Sequence, residues 1–567
     1  MTLDARVATI LAAMTVVAAA CGRAVDPADV ADTVYTNGRI YTVNDAQPWV
    51  EAVAIKDGRF LAVGLAADVA RVTGDSTEVI DLDGAFAMPG IVDIHTHPSM
   101  SMALRVFCEL PGSFYLPTDE MTVDALKKCI EEYPDDQKWF FAEGYASPVM
   151  KPETLTKEFL DSLIPDRPAY VKDESGHFGF ANSKAFELLG IDENTPDTPD
   201  GYYSRTENGK PAGQIFESAM NPFEAEILPL APEYSQQAKM RLLEDAIRQG
   251  ITAIGDAYVF ERDLADWQKF KQEGKLNLHV RLYMVGNFGT AATTPVNEIL
   301  RYYEDYDLPG ERGVKMSLGG ALESRTEVML NDGYFEDGSD ITPLIPADAF
   351  ATYMKELDAA GIQAKVHAIG DGTVRATIDG YLAAINERGS NELRHHIDHC
   401  SYIQPEDAVR ARDNDIPCSA WPMLNAPISF LTNQASIITP EAYNRGNPTR
   451  DLLDAGIIVA NHSDAPQANL WPWWGMEATI TRGFPGHSEI EKFNADQAIT
   501  LEETIKVHTL NGAYVMKLDD VTGSIEVGKS ADMIVLNHNL FDIPVNDIHK
   551  TEVKKTVFKG HVVYQKD

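Results

Sequence analysis

Alternating apolar and polar residues dominate both ends of the chain. Alternation with a period of two predicts half-buried strands, and the Asn-Gly and Asp-Gly pairs among them predict tight hairpins. We therefore expect one small β-sandwich built from both termini, from residues 34–88 and 516–567. The alternating stretches are 34–43, 52–64, 77–82, 531–536 and 553–564.

The middle of the chain alternates short apolar runs with amphipathic helical patterns. This alternation predicts an α/β fold, a (β/α)8 TIM barrel over residues 89–515. The first interval between strands is too long for one crossover, so residues from about 101 to 245 are expected to form an insertion. The predicted helices include 236–248, 348–360 and 373–388. The predicted strands are 90–95, 251–256, 278–285, 314–318, 363–367, 394–399, 416–420 and 457–462.

The N-terminus differs in kind from the rest of the chain. Arg6 precedes an apolar run over residues 7–20 that is short for a membrane span and ends in small residues, as a secretory signal does. Cys21 follows three alanines and resembles the acylated cysteine of a bacterial lipobox. We expect residues 1–21 to be a signal peptide, Cys21 to be lipidated and residues 22–33 to be a linker. The protein would then be exported to the periplasmic or cell-surface side, touching the membrane only through its lipid anchor. The alternative is a cytosolic enzyme with an apolar leader.

The charge and the cysteines limit the classes of partner. There are 48 Lys and Arg against 86 Asp and Glu, a net charge of −38. A surface this acidic argues against nucleic acid and against anionic membranes as partners. Cys108, Cys129, Cys400 and Cys418 fit no zinc motif, so we expect mostly buried thiols, with a Cys108–Cys129 disulfide open to an oxidising compartment.

Residues that could bind a metal follow the predicted barrel strands. His95 and His97 end the first strand, and residues i and i+2 of a strand face the same side. Barrel enzymes place their sites at the carboxyl ends of the strands. Taken singly, each residue has an ordinary structural explanation, such as a hydrogen-bonded core histidine or a helix cap. Together they predict a metal centre. The other strand-end candidates are Lys315, His367, His399 and Asp464.

The ordered motifs resemble those of a known family. MPGIVDIHTH, VHAIGD, RHHIDH, NHSDAP and TLNGA together resemble the metal-dependent amidohydrolase superfamily. The closer similarity is to amidohydrolase family 3, the branch that includes N-substituted formamide deformylase. It runs from about residue 33 to the C-terminus.

The resemblance implies two divalent metal ions, expected to be zinc. His95, His97 and Asp464 would hold one ion, and His367 and His399 the other. A carboxylated Lys315 would bridge the two ions, because lysine becomes an oxygen donor as its carbamate. Glu217 is the alternative bridge.

The chain departs from the family pattern near several of these residues. After Lys315 it reads SLGGALES, where relatives usually have an Asp-Gly pair. Before Asp464 it has His462-Ser463, where relatives usually have Gly-Ser. His395 and His396 stand close to His399 and compete with it for assignment.

The expected activity is hydrolysis of a C–N bond of the amide type, such as an N-substituted formamide or an N-acyl group. A metal-activated hydroxide would attack the carbonyl, and Asp464 would carry its proton to the departing amine. His177 is the candidate that polarises the carbonyl or places the substrate; its alternative is a structural role. Arg325, Trp421 and the cluster of residues 471–474 are weaker candidates for the wall or mouth of the pocket.

Two other functions stay open. The first is deamination, although deaminases of this superfamily carry His-x-x-Glu after the fifth strand and His367 is followed by Ala-Ile-Gly-Asp. The second is a metal-binding lipoprotein without catalysis. The sequence leaves open the substrate, the metal and the oligomeric state. Relatives are often dimers, so a homodimer is one expectation.

Overall fold

The computed structural model describes residues 30–100, 108–133, 137–198, 200–227, 232–330, 333–334, 341–426, 428–466 and 469–566. The predicted signal peptide, Cys21 and most of the predicted linker lie outside these ranges. Within them, no helix has the length and apolar character needed to cross a membrane.

Eight parallel strands form a nearly closed barrel, in which each strand pairs with the next along the chain. The two edge strands meet through their loops, because the Asp464 amide donates to the His95 carbonyl at 3.0 Å. The α/β TIM barrel predicted from the sequence is confirmed. In chain order, the first to eighth barrel strands are Ile91–Thr96, Ile251–Val259, His279–Val285, Gly313–Ser317, Gln363–Ala368, His396–His399, Cys418–Ala420 and Val459–Asn461.

Helices cover the outside of the barrel and bury its apolar side chains. Helix Asp371–Arg388, for example, packs Ile378 and Tyr381 into the same core as Val366 of the fifth strand. It ends at Gly389, which adopts the left-handed conformation that glycine tolerates best at a helix end. The other principal helices around the barrel are Pro232–Arg248, Leu264–Gln272, Val296–Asp305, Ala347–Ala359, Pro405–Asp413, Thr449–Asp454, Pro472–Thr481, Leu501–His508 and Leu510–Val515.

The segment between the first and second barrel strands folds around its own sheet. Aromatic side chains on one face of this sheet, among them Trp139 and Tyr170, form a separate core. Its helices are Asp119–Glu132, Lys157–Leu163, Ser183–Leu189 and Asn221–Ile227. Its five strands, in spatial order, are Tyr203–Arg205, Pro211–Phe216, Phe178–Ala181, Ala169–Asp173 and Phe140–Tyr145.

Both chain ends contribute to two small sheets that share a core including Tyr35, Phe60, Met533 and Val557. Strand Phe86–Pro89 of the larger sheet leads through Gly90 directly into the first barrel strand, which ties this unit to the start of the metal motif. The smaller sheet has the order Arg59–Gly64, Ala52–Lys56, Thr33–Thr36, Glu78–Asp81. The larger has the order His561–Gln565, Val553–Phe558, Met533–Leu536, Phe86–Pro89, Arg39–Tyr41, Trp49–Val50.

The four cysteines in the described ranges are all paired. Cys108 is bonded to Cys129, the one disulfide for which the sequence analysis allowed. Cys400 is bonded to Cys418, so the expectation of free buried thiols is wrong for this pair. Cys400 directly follows the sixth strand and Cys418 begins the seventh, and these strands are neighbours in the sheet. Strand pairing, which the spacing of the cysteines does not reveal, therefore brings them together.

Candidate metal centre

One cleft at the carboxyl ends of the barrel strands brings the predicted site residues together. Its floor comes from the barrel, and its opposite wall comes from the insertion, which contributes Lys172, His177 and Glu217 among others. The predicted metal ligands that line it are His95, His97, Lys315, His367, His399 and Asp464.

Three donor atoms from opposite ends of the sequence converge at the seam of the barrel. The Nε2 atoms of His95 and His97 are 3.1 Å apart. Asp464 Oδ1 lies 2.9 Å from His97 Nε2 and 3.2 Å from His95 Nε2. Such a set of two imidazoles and a carboxylate is typical of a divalent metal site. Its compactness depends on the contact between the first and eighth strands.

Neighbouring groups orient the first two histidines. His97 Nδ1 donates to the Ala257 carbonyl at 3.0 Å, which assigns the proton to Nδ1 and leaves a lone pair on Nε2. His95 Nδ1 lies 3.1 Å from Asp398 Oδ2. A carboxylate or carbonyl behind the outer nitrogen is the usual support of a metal-binding histidine.

The backbone at two of the predicted ligands is strained. His399 has φ of 72° and Asp464 has φ of 61°, in the left-handed region that side chains other than glycine rarely adopt. Each such residue costs of order 1–3 kcal/mol and is typically retained where a functional geometry requires it. Here the sharp turns follow the ends of two barrel strands.

His367 and His399 form the second pair of imidazoles, with ring centroids 4.5 Å apart. Burial lowers the pKa of His367 to about 3 and holds the pKa of His399 well below its usual value. Both rings are therefore neutral and able to offer a lone pair. His399 Nδ1 is buried without a hydrogen-bond partner. His367 Nε2 donates to the Gly320 carbonyl at 2.9 Å.

Lys315 is fully buried and its ammonium donates to Asp398 Oδ2. Burial lowers the pKa of Lys315, although Asp398 opposes this shift. Lys365 Nζ lies 3.5 Å from the same carboxylate oxygen. The sequence analysis missed Asp398 and Lys365. Only their positions in the sequence could have pointed to them, because Asp398 immediately precedes His399 and Lys365 lies two residues before His367 on the fifth strand.

His177 and Glu217 carry the insertion to the site as a hydrogen-bonded pair. His177 Nδ1 lies 2.9 Å from Glu217 Oε2, and its ring centroid is 5.8 Å from that of His367. The hydroxyls of Ser324 and Thr326 donate to Glu217 Oε1 at 2.5 and 2.6 Å. Burial disfavours a charge on His177, but the Glu217 carboxylate outweighs it and raises the pKa of His177 to about 9.

Several weaker candidates occupy other places. Trp473 and Trp474 are buried in apolar clusters away from the cleft lining, and Trp471 packs against Tyr115. Trp421 lies behind the floor of the site, with its ring tilted against that of His399 and the centroids 5.8 Å apart. Arg325 follows Ser324, which contacts Glu217, but does not itself line the cleft.

Neither of the two histidines that competed with His399 lines the cleft. His395 Nε2 lies 3.1 Å from Asp358, and its ring stacks on Tyr381. His396 packs against Tyr283 inside the barrel. Their placement leaves His399 as the histidine of this motif that reaches the site.

Glu327 is a carboxylate near the site that the sequence analysis did not consider. It is fully buried behind Gly319, and its Oε1 accepts hydrogen bonds from Thr373 and from the Val328 amide. Its Oε2 has no hydrogen-bond partner and lies 3.9 Å from His367 Nε2. Burial raises the pKa of Glu327 to about 8. No motif points to this residue, because only the fold brings it behind the fifth strand.

The donors present fit a divalent metal. Three groups with buried ligand atoms, His95, His97 and Asp464, lie within 4.8 Å of one another. The partnerless nitrogen of His399 indicates a further donor that no protein group uses. Neutral imidazoles with a carboxylate are accepted by zinc and by several other first-row metals.

Comparisons with known proteins identify the family of this chain. The chain is 26% identical over 545 residues to the protein YtcJ of Bacillus subtilis, covering 94% of this chain and 99% of that one. It is 25% identical over 547 residues to an N-substituted formamide deformylase of Arthrobacter pascens, covering 94% and 98%. A crystal structure of a metal-dependent hydrolase from Pyrococcus horikoshii superposes with a TM-score of 0.70 at 20% identity, covering 90% of this chain and 99% of that one. The model of the amidohydrolase family matches residues 78–564, and the chain belongs to that family.

Proposed function

We propose that this protein is a metal-dependent hydrolase that cleaves an amide-type C–N bond, such as that of an N-substituted formamide or an N-acyl amine. The observation that carries the proposal is the convergence of His95, His97 and Asp464 at the floor of a cleft. The similarity to a formamide deformylase along nearly the whole chain supports the choice of bond.

Two ions fit the arrangement of donors. His95, His97 and Asp464 would hold one, His367 and His399 the other, and Lys315 as its carbamate would bridge them. Lysine reacts with carbon dioxide as the neutral amine, and burial lowers the pKa of Lys315 in the direction that favours this form. Glu217 is the weaker bridge, since its oxygens already serve His177, Ser324 and Thr326.

When bound, the metal supplies a Lewis acid that polarises the carbonyl and lowers the pKa of a coordinated water to about 7. Asp464 is suited to accept a proton. Its Oδ1 lies within 3.2 Å of the Nε2 atoms of His95 and His97, so the carboxylate stands where a proton released beside them can be taken up. The carboxylate can then deliver this proton to the departing nitrogen, which cannot leave as an amide anion.

His177 faces this floor from the insertion. Because Glu217 keeps it protonated near neutral pH, it can donate to the carbonyl oxygen, where negative charge develops during attack. The insertion thus provides a positive charge on the side of the cleft opposite the barrel floor, and it shields part of the cleft from water.

Deamination is less well supported. The position three residues after His367, where deaminases of the superfamily carry Glu, is Gly370, and the following Asp371 is bonded to the Leu330 amide, Gln404 and Arg445. That carboxylate is therefore already engaged by three hydrogen-bond donors, and it does not line the cleft. A metal-binding protein without catalysis would use Asp464 only as a ligand, and loss of turnover in an Asp464→Ala variant that keeps its metal distinguishes the two functions.

Elemental analysis of the purified protein beside its Lys315→Ala variant tests the metal assignment. We expect about two metal ions per chain, falling to one or none in the variant. One ion per chain, unchanged by the loss of Lys315, would contradict the bridged pair. Turnover of N-substituted formamides and N-acyl amines, abolished in Asp464→Ala with metal retained, then tests catalysis against mere binding.

We also infer that the protein is exported and anchored through Cys21. The Cys108–Cys129 disulfide supports an oxidising compartment, because such bonds are rare in reducing ones. Fractionation of cells that express the full chain should find it in the membrane fraction, and Cys21→Ser should release it. Recovery of both forms from the cytosol would contradict export.

A further inference from the structure

His462 is a buried polar side chain without a hydrogen-bond partner among the residues that the structure describes. It is inaccessible to solvent, and neither of its ring nitrogens bonds to another described group. A neutral imidazole always carries one N–H and one lone pair, and buried polar groups are normally paired. An unpaired buried group calls for a specific explanation, of which an unseen ligand is one.

The position of His462 points to the metal site. It lies two residues before Asp464 and packs its ring 4.8 Å from His399 and 5.1 Å from His95, measured between centroids. Ligand atoms of His399, His462 and Asp464 all lie within 4.8 Å of one another. Two of these three are already expected to bind metal.

We propose that His462 is an additional metal ligand, acting with His399 on the second ion of the pair, and that Asp464, a ligand of the first ion, also reaches the second. The proposal rests on the proposed function. A metal with bonds of about 2 Å connects donors up to about 4 Å apart, so the three atoms need to close by less than about 1 Å. The rings share one buried space, which makes this adjustment small.

A purely structural role explains less. The other side of the ring faces Trp421, 5.7 Å away, and an apolar side chain could fill the same space. Such a residue would leave no unpaired nitrogens. Trp421 Nε1 and His95 Nδ1 are also without a hydrogen-bond partner among the described residues, but His399 and His462 are the two that form one group with Asp464, with ligand atoms within 4.8 Å of one another, and this fits a shared ligand better than packing alone.

The test compares wild type with His462→Phe, which keeps an aromatic ring, and His462→Gln, which keeps a polar group. The matched control is His508→Phe, since His508 is also buried with a partnerless Nε2, but its Nδ1 is held by the Thr504 carbonyl in an outer helix. Each protein is loaded with zinc. Ion number and affinity are measured by chelator competition, and the imidazoles per zinc by X-ray absorption. Circular dichroism identifies any variant that does not fold.

We expect both His462 variants to lose the second ion or to bind it at least about tenfold more weakly, with fewer imidazoles per zinc. The His508 control should match wild type. Two ions held within about twofold of the wild-type affinity in either folded His462 variant would overturn the proposal. A wild type that holds no metal would instead overturn the proposed function itself, so the two failures are distinguishable.

Discussion

The carboxylate of Glu327 occupies the space that a side chain at Gly319 would need. A Cβ atom added at Gly319 would lie 2.6 Å from Glu327 Oε1 and 2.9 Å from Oε2. Gly319 falls in the SLGGALES stretch where this chain departs from its relatives. The structure thus places an acidic group beside the stretch that differs from the relatives. The acidic residue, Glu327, lies eight residues further along the chain than Gly319.

The first prediction follows from this contact. Gly319→Ala should lower the free energy of unfolding by about 1–3 kcal/mol, because overpacking a filled site forces its neighbours to move. Urea unfolding measures the change. In a Glu327→Ala background the same substitution should cost less, since two of the three atoms nearest the new Cβ are gone and Thr373 Oγ1, at 2.7 Å, remains. Equal costs in both backgrounds would show that the two residues do not compete for this space.

The second prediction concerns the pH dependence of the His177–Glu217 pair. The pKa of His177 is raised to about 9 in the folded protein, against about 6.5 in the unfolded chain. The stability from its charged form is therefore complete below about pH 6.5 and is lost as the pH rises towards 9. The difference in unfolding free energy between wild type and Glu217→Gln should be larger at pH 6 than at pH 9.5. A difference that grows with pH would contradict the pairing.

The third prediction concerns the buried charge of Asp398. Its Oδ2 neutralises Lys315 and Lys365, and all three side chains are inaccessible to solvent. Asp398→Asn leaves two buried cations without a counter-charge, so we expect a loss of about 3–5 kcal/mol in unfolding experiments on the metal-free protein. Asp358→Asn is the control, because its partner Arg388 remains partly hydrated. A loss no larger than in the control would contradict the assigned role.

The fourth prediction concerns the disulfide of the insertion. Cys108 and Cys129 are 21 residues apart, and removing the bond with Cys129→Ser should destabilise the insertion by about 2–4 kcal/mol. Unfolding followed with and without a reductant measures this. Reductant should destabilise wild type more than the variant, which retains only the second disulfide. An identical response of the two proteins would indicate that this bond does not form.

The periodicity of the sequence was sufficient to predict the barrel and to group one set of candidate metal ligands within it. Strands of a parallel barrel are continuous apolar runs, and their carboxyl ends point to a common face, so His95, His97, His367, His399 and Asp464 could be assigned together. The expected helix over 373–388 and the observed Asp371–Arg388 differ by two residues at one end.

What the sequence could not reveal depends on contacts between distant segments. Asp398 contacts residues that strand pairing brings to it, and Glu327 reaches the site on a loop that folds back. Neither residue has a sequence pattern of its own that would identify it. The same holds for the Cys400–Cys418 bond and for the direction in which the His462 ring points. The sequence predicts that an insertion follows the first strand. It does not predict the order of the five strands in the sheet of that segment, because their connections are irregular.

The contact between the first and eighth barrel strands has a consequence for how the protein matures. His97 and Asp464 are separated by 367 positions, yet they belong to one candidate ligand set. A growing chain that has not yet released its last strand carries two of the three ligands of that set and lacks the carboxylate that completes it. Metal uptake at this position should therefore begin only when the polypeptide is nearly complete. A bound ion there requires that the first and eighth strands of the barrel have already met.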